Sequence, residues 1–263
     1  MSNLSESFHA HLEARKALSE ELKNDAYRVR YKVYCVERGY EDQTKFPNRM
    51  EGDEFDSESV HALVRHKESK TPVGVVRLVL PNRRDPDRKF PIETHFGNRF
   101  EASTLKKFDY SRDNIAEVSR FAVSKQSLKK MQEKLVGEID HKSSDLREKD
   151  PRLLLPQISL GLIAMLFAIS KEQRIGYWYA AMEPSLSRLL TRLGIDFTPI
   201  GPVMNYHGRR QPMLAKVDDL LNTIQHSRSD FFRLIMDMGG VSASRYRTVK
   251  ESSNAGLNKS IAY

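Results

Sequence analysis

Residues 114–123 read NIAEVSRFAV, and no other stretch restricts the fold as strongly. Ile115, Val118, Phe121 and Val123 give it the apolar content of a buried strand, yet Glu117, Ser119 and Arg120 put a carboxylate, a hydroxyl and a guanidinium inside it. An ion buried without a partner is costly. These groups must reach the rim of a sheet, pair within it, or face a polar cleft, and the cleft is the working expectation.

The surrounding pattern predicts the rest of the sheet. Residues 8–15 alternate apolar and polar, as a first strand would, with helix as the competitor. From Ser19, a predicted N-cap, Leu22, Ala26, Val29, Val33 and Val36 recur at helical spacing to about residue 38, where Gly39 ends the turn. Arg30 and Tyr34, four apart, share a face of this helix. Residues 41–58 are acidic and rich in turn formers, which predicts a loop carrying Glu51, Asp53, Glu54 and Asp56. Residues 60–67 and 73–80 predict a hairpin, and Arg77 again charges an apolar strand. Residues 81–89 form a polar turn and 92–96 a short helix.

Beyond the organising strand, 126–152 is strongly charged and reads as an external insertion. Residues 157–171 are apolar around most of a helix, which predicts burial. Residues 176–182 predict a strand, and 184–193 a helix with Pro184 in its first turn and Gly194 as cap. Residues 197–200 and 211–217 predict closing strands, 218–238 a terminal helix, and 241–263 a mobile tail. The order of elements is that of an α+β fold.

The chain has 39% hydrophobic residues, enough for a core, and no run of about 18 apolar residues that predicts a transmembrane segment. With one cysteine and no signal-peptide pattern, the expected location is cytoplasmic. The net charge of +8 points to an acidic partner, which by charge alone is nucleic acid, an anionic membrane surface or a protein.

With these residues in place, the chain resembles the acyl-homoserine-lactone (autoinducer) synthases, a branch of the GNAT acyltransferase superfamily. It resembles still more their relatives, the acyltransferases associated with exosortase and PEP-CTERM systems and the N-acyl amino acid synthases. The resemblance covers residues 8–217 and rests on Arg30, Tyr34, Tyr40, Asp53, Asp56, Arg77, Phe96, Glu117 and Arg120 taken together. It implies a GNAT-like fold with a central mixed, mostly antiparallel sheet flanked by helices, in one domain over 1–240. It also implies a charge cluster of arginines and acids around an acceptor cleft. Tyr34 and Tyr40 stand where autoinducer synthases usually have Phe and Trp, and with the 126–152 insertion they favour an amino acid over S-adenosylmethionine as acceptor.

Acyl transfer from a thioester to an amine needs a base, donors aimed at the developing oxyanion, and charge that orients the acceptor. Glu117 is the expected base and Arg120 the second catalytic residue. Arg30, Tyr34, Tyr40, Asp53, Asp56, Arg77, Phe96 and Ser119 are the expected substrate-binding residues. The alternative for Glu117 is a structural pair with Arg120 or Arg77, and for Arg77 and Arg120 a pairing with Asp53 and Asp56. No metal is expected: Asp53 and Asp56 have no histidine at useful spacing and no EF-hand glycine. Cys35, beside Val33 and Val36, reads as a buried hydrophobe, and His9 and His11 as solvated.

No bound cofactor is expected, since the acyl donor is a substrate. Coenzyme A-dependent relatives carry a Q/R-x-x-G-x-G/A loop that grips a pyrophosphate at a helix N-terminus. The place leading into the helix at Gln157 reads PQISLGLI, which favours acyl-acyl carrier protein over acyl-CoA. Carrier proteins are acidic, and Arg83, Arg84, Arg88, Lys89, Lys106, Lys107, Lys129 and Lys130 would suit one. The other readings are an acyl-homoserine-lactone synthase using S-adenosylmethionine and a non-catalytic nucleic-acid-binding or regulatory module. The absence of a nucleic-acid motif counts against the last.

Overall fold

Ser19 accepts the N–H of Leu22 at 3.3 Å and so opens the helix that the spacing predicts. In the computed structural model, which describes residues 4–137 and 154–240, the chain begins with α1 (Leu4–His11) and β1 (Leu12–Lys16). The predicted strand over 8–15 is thus half helix. Phe8 is buried from the helix and Leu12 from the strand, and a period read over eight residues does not separate the two. His9 and His11 belong to α1 and not to a strand face.

Next comes α2 (Glu20–Arg30), which runs into a π-helix over Tyr31–Glu37. The wider turn is a departure from the single α-helix expected to residue 38, and such turns favour functional sites. It is closed by Gly39 at φ +63° and by the Tyr40 N–H bonding Tyr34 O at 2.7 Å. The acidic loop follows, then β2 (Ser59–His66), β3 (Pro72–Val79), α3 (Pro91–Phe96), α4 (Ala102–Leu105) and β4 (Ile115–Val123). β4 leads directly into α5 (Lys125–Gly137), and the remainder of the expected 126–152 insertion lies outside the described residues.

The chain resumes with α6 (Leu154–Gln173), β5 (Tyr177–Met182), α7 (Pro184–Thr191), β6 (Thr198–Pro199), β7 (Met204–Asn205) and β8 (Arg209–Lys216). The predicted terminal helix is two, α8 (Val217–Ser227) and α9 (Ser229–Asp237), because Arg228 leaves the helical region at φ −142°, ψ 67°. The break turns Phe231, Phe232, Leu234 and Ile235 into the core. The expected mobile tail, 241–263, lies outside the described residues.

The strands form one sheet in the order β1-β2-β3-β4-β5-β8-β6, with β7 on β8. Every pairing is antiparallel except β4 with β5. Helix α6 covers β1 to β4 on one face, while α2 covers β2 to β4 on the other. By length and composition α6 would span a bilayer, but 72% of its apolar window is buried inside the protein, where it is the core helix.

Two irregularities shape the centre. Between β3 and β4 the register shifts, with Val75 opposite Ala122 but Arg77 opposite Ser119, so β4 carries an extra residue there. Arg120, within that bulge, sits at φ +50°. In addition β4 and β5 pair only from Ile115/Tyr177 to Val118/Ala180. Beyond that point β4 continues against β3 and β5 against β8, so the two parallel strands part.

Candidate active site

Alternation places Val75, Arg77 and Val79 of β3 on one face with Ile115, Glu117 and Ser119 of β4. Val75 packs with the cluster under α2, and Val79 and Ile115 with the cluster around α3. The charged groups therefore stand in the gap between two apolar clusters, where the acidic loop meets them.

Six ions of balanced charge fill that gap. Arg30 donates to Glu51 through Nε at 2.6 Å and Nη2 at 3.1 Å, and through Nη1 to Asp56 at 2.6 Å. Arg77 donates to Ser119 Oγ at 2.9 Å, Asp53 at 2.5 Å and Asp56 at 2.8 Å. Arg120 reaches Glu51 at 2.9 Å and Asp53 at 3.0 Å, with its guanidinium 5.2 Å from the Tyr34 ring centre. Burial alone would raise the Glu51 carboxyl, but Arg30 and Arg120 overcome it and hold the group down at about 2. Asp56 is likewise driven far below the usual carboxylate range, despite burial, by His61, Arg30 and Arg77.

Glu117 differs from its neighbours. It is 4% exposed and accepts one bond, from Ile92 N–H at 2.8 Å, with no ion pair among the described residues. Burial pushes its carboxyl up to about 8, against the smaller opposing effects of the Ile92 N–H, Arg77 and Arg120. The alternative of a structural pair with Arg77 or Arg120 is not what forms. Those arginines take Glu51, Asp53 and Asp56 instead.

A cavity runs past Glu117 at the point where β4 and β5 part. On the α3 side it is walled by Tyr34, Tyr40, Glu41, Arg77, His95, Phe96, Ser119, Arg120, Tyr206, His207 and Arg210. On the α6 side it is walled by Val118, Ile163, Leu166, Trp178, Leu186, Leu190 and Phe197, an apolar lining throughout. One opening in the sheet thus joins a polar, aromatic chamber to an apolar one. Arg77 Nη2 and Arg120 Nη1 take no bond among the described residues, and both arginines line the polar chamber.

Of the expected site residues, Glu117, Arg120, Tyr34, Tyr40, Arg77, Phe96 and Ser119 line the cavity. Arg30, Asp53 and Asp56 do not. Arg30 is wholly buried behind the wall, and the three act on the chamber by fixing Arg77 and Arg120 and not as part of its lining. Glu51, the acid shared by Arg30 and Arg120, was visible in the sequence as one more loop carboxylate with no sign of its burial. His95, Tyr206, His207 and Arg210 carried no sequence signal. Tyr206 O–H lies 2.9 Å from His95 Nε2, and a tight turn at His207 (φ +48°) and Gly208 (φ +91°) sets it there.

Cys35 is buried in the π-helix, and burial raises its thiol to about 11, which suits a packing role. The basic residues are divided: Arg83, Arg84, Arg88, Lys89, Lys106 and Lys107 lie in the connection entering β4, and Lys129 and Lys130 on α5 leaving it. After β4 the chain reads SKQSLKK and is already in α5 from Lys125, so the helix beginning at Leu154 is not the one that directly follows this strand.

Comparison with known proteins agrees with this architecture. Residues 29–136 match the acetyltransferase (GNAT) domain family. No curated protein matches the chain. Among solved structures, TofI in a ternary complex with an inhibitor and MTA superposes with a TM-score of 0.54 at 16% identity, covering 81% of this chain and 96% of that one. FeeM, an N-acyl amino acid synthase from uncultured soil microbes, gives 0.51 at 16%, covering 81% and 94%. BjaI, a CoA-dependent acyl-homoserine lactone synthase solved with SAM and isopentyl-CoA, gives 0.53 at 19%, covering 88% and 90%. The chain therefore has the GNAT acyltransferase fold, with the acetyltransferase (GNAT) domain itself matched over residues 29–136.

Proposed function

We propose that the protein is an N-acyltransferase that moves a fatty acyl group from acyl-acyl carrier protein to the amine of an amino acid or similar acceptor. The observation that carries this reading is the opening between β4 and β5, which sets the Glu117 carboxyl between a polar chamber and an apolar one. An acyl chain suits the apolar chamber, and its thioester then lies at the opening. The acceptor amine suits the polar chamber, where Arg77 Nη2 and Arg120 Nη1 are available to a carboxylate or to the thioester oxygen as it gains charge.

A carboxyl with a pKa near 8 is matched to taking a proton from an amine. In this scheme the amine nitrogen bonds the carbonyl carbon while Glu117 takes its proton. The C–S bond then breaks, the proton passes to the leaving sulfur, and an amide and a free thiol result. Ion pairing with Glu51, Asp53 and Asp56 keeps both guanidiniums still during these steps.

A second acceptor, S-adenosylmethionine, has its own supporting observation. Glu41, Tyr34 and Tyr40 give the polar chamber an anionic and aromatic wall of the kind that suits a sulfonium. BjaI is a synthase solved with that compound. Mass spectrometry of lipid extracts from expressing cells separates the readings: new N-acyl amino acids support the first and acyl lactones the second. No new N-acyl species, with Glu117→Gln indistinguishable from the unaltered protein, would refute both.

A further inference from the structure

Two acids line the cavity, Glu117 at the opening in the sheet and Glu41 on the wall of the polar chamber. The turn that closes the π-helix sets Glu41 there. Tyr40 N–H and Glu41 N–H both bond Tyr34 O, at 2.7 and 3.1 Å, so the three residues enter the wall together. The Glu41 side chain is 25% exposed, and its carboxylate accepts no hydrogen bond among the described residues. The basic groups closest to it are His207 Nε2 at 3.8 Å and Arg120 Nη2 at 4.0 Å.

The charge count singles out the same group. Arg30, Arg77 and Arg120 are matched by Glu51, Asp53 and Asp56, and Arg210 is matched by Glu183 at 3.0 Å. Glu117 is held neutral by burial. Glu41 is then one negative charge in excess, which His207 offsets only when it is protonated. A charge partly removed from water draws an opposite one more strongly than it would in bulk solvent.

The cation that fits can be told from the rings around it. A sulfonium has no hydrogen to donate and is held by aromatic faces. Here one face of each nearby ring is already covered, with Arg120 over Tyr34 at 5.2 Å and Arg210 over Tyr40 at 5.9 Å from the ring centres. An ammonium donates three hydrogen bonds, and the oxygens of Glu41 and Tyr206 on this wall can accept them.

We propose that the acceptor is an amino acid whose side chain ends in an amine, and that Glu41 is the specificity-determining residue that receives this second ammonium. The inference rests on the reading of the polar chamber as the acceptor site and adds the class of acceptor. The α-carboxylate lies on Arg77 and Arg120, the α-amine is acylated beside Glu117, and the side-chain ammonium reaches Glu41.

The test uses the full-length protein and two pairs of acceptors of equal shape: lysine with α-aminoheptanoate, and α,γ-diaminobutyrate with norvaline. Each pair competes for one acyl-acyl carrier protein in a single reaction read by mass spectrometry, and each acceptor is also titrated calorimetrically without donor. In at least one pair the diamino acid is expected to be preferred by about tenfold or more, the range of one charge-assisted contact, with the acyl group on its α-nitrogen. Glu41→Gln, which keeps the shape and loses the charge, removes that preference, and Glu41→Asp, which keeps the charge, retains most of it. A merely structural role would lower both members of a pair alike. No preference in either pair, a preference unchanged in Glu41→Gln, or acylation of the side-chain nitrogen overturns the assignment. So does S-adenosylmethionine outcompeting both diamino acids, which gives the wall to a sulfonium. Diamino acids that bind with this dependence on Glu41 and are not acylated defeat the acyltransferase reading and leave the ammonium site standing. Neutral and diamino acids acylated alike do the reverse, and neither binding nor acylation of any acceptor defeats both.

Discussion

Glu117 Oε2 accepts the N–H of Ile92 at 2.8 Å, and this bond ties the one buried carboxyl outside the ion cluster among the described residues to the start of α3. Arg77 and Arg120 share its sheet region but are turned to Glu51, Asp53 and Asp56. Two kinds of acid therefore stand side by side: Glu51 and Asp56 are held ionised by guanidiniums, and Glu117 is held protonated by burial.

The first consequence is for stability. A carboxyl at about 8 in the folded chain and 4.5 when free in water favours folding fully below 4.5. That contribution is lost progressively as pH rises through the folded value, at a total cost of at most about 5 kcal/mol. Glu117→Gln has no such titration and its carbonyl still accepts the Ile92 N–H. Its melting temperature is expected to match the unaltered protein near pH 5 and exceed it near pH 9. Equal melting temperatures at both values would show that the carboxyl is not held neutral.

The second concerns rate. A base must be ionised to act, so kcat/KM for acyl transfer is expected to rise with pH and level off above about 8, the folded value of Glu117. Glu117→Gln should lose roughly 100-fold or more and with it the dependence assigned to this group. A non-titrating hydroxylamine-type acceptor separates the enzyme group from the acceptor's own amine. A retained rise in Glu117→Gln with that acceptor assigns the titration elsewhere.

The ion cluster is stabilising as a set and exposed to loss of any member. Removing one partner from a buried pair costs about 3–5 kcal/mol, because the ion left behind has no solvent. Glu51→Gln leaves Arg30 and Arg120 short of charge and is expected to lower stability by that order in urea unfolding. The double variant Arg30→Met, Glu51→Met should lose less than the sum of its parts. For the intact protein the sign with pH is opposite to that of Glu117. Glu51 and Asp56 are depressed, so their contribution is present above the ordinary carboxylate range and vanishes as pH falls through about 2 and below.

Much of this arrangement can be read from residue order, and its limits have physical causes. Apolar alternation broken by Glu117 and Arg120 marks β4, since few other elements tolerate that mixture, and Arg77 marks β3 in the same way. The pairing of Arg77 and Arg120 with Asp53 was one of two open alternatives, since charge shows what can pair and not which pair forms. Glu51 escaped because loop acids are usually solvated, and only the fold shows this one to be 1% exposed. The π-helix has no composition of its own: residues 31–37 fit an α-helical pattern equally well. Tyr206 and His95 are far apart in sequence and meet only through the tight β7–β8 turn.

The apolar chamber sets the last prediction. Leu186 and Leu190 of α7 line it opposite Ile163 and Leu166 of α6, so acyl length depends on the space these side chains leave. Each buried methylene contributes about 0.8 kcal/mol, and two together change donor preference by about tenfold. Leu186→Phe narrows the chamber and is expected to shift products toward shorter chains by roughly that factor, whereas Leu190→Ala shifts them toward longer ones. Both residues are incompletely buried, so the protein should tolerate either change without unfolding. Competition between two chain lengths in one reaction, read by mass spectrometry, gives the ratio directly and cancels any common loss of activity. If both variants keep the original ratio, the acyl chain does not lie against α7, and the α6 side of the opening has to be reassigned.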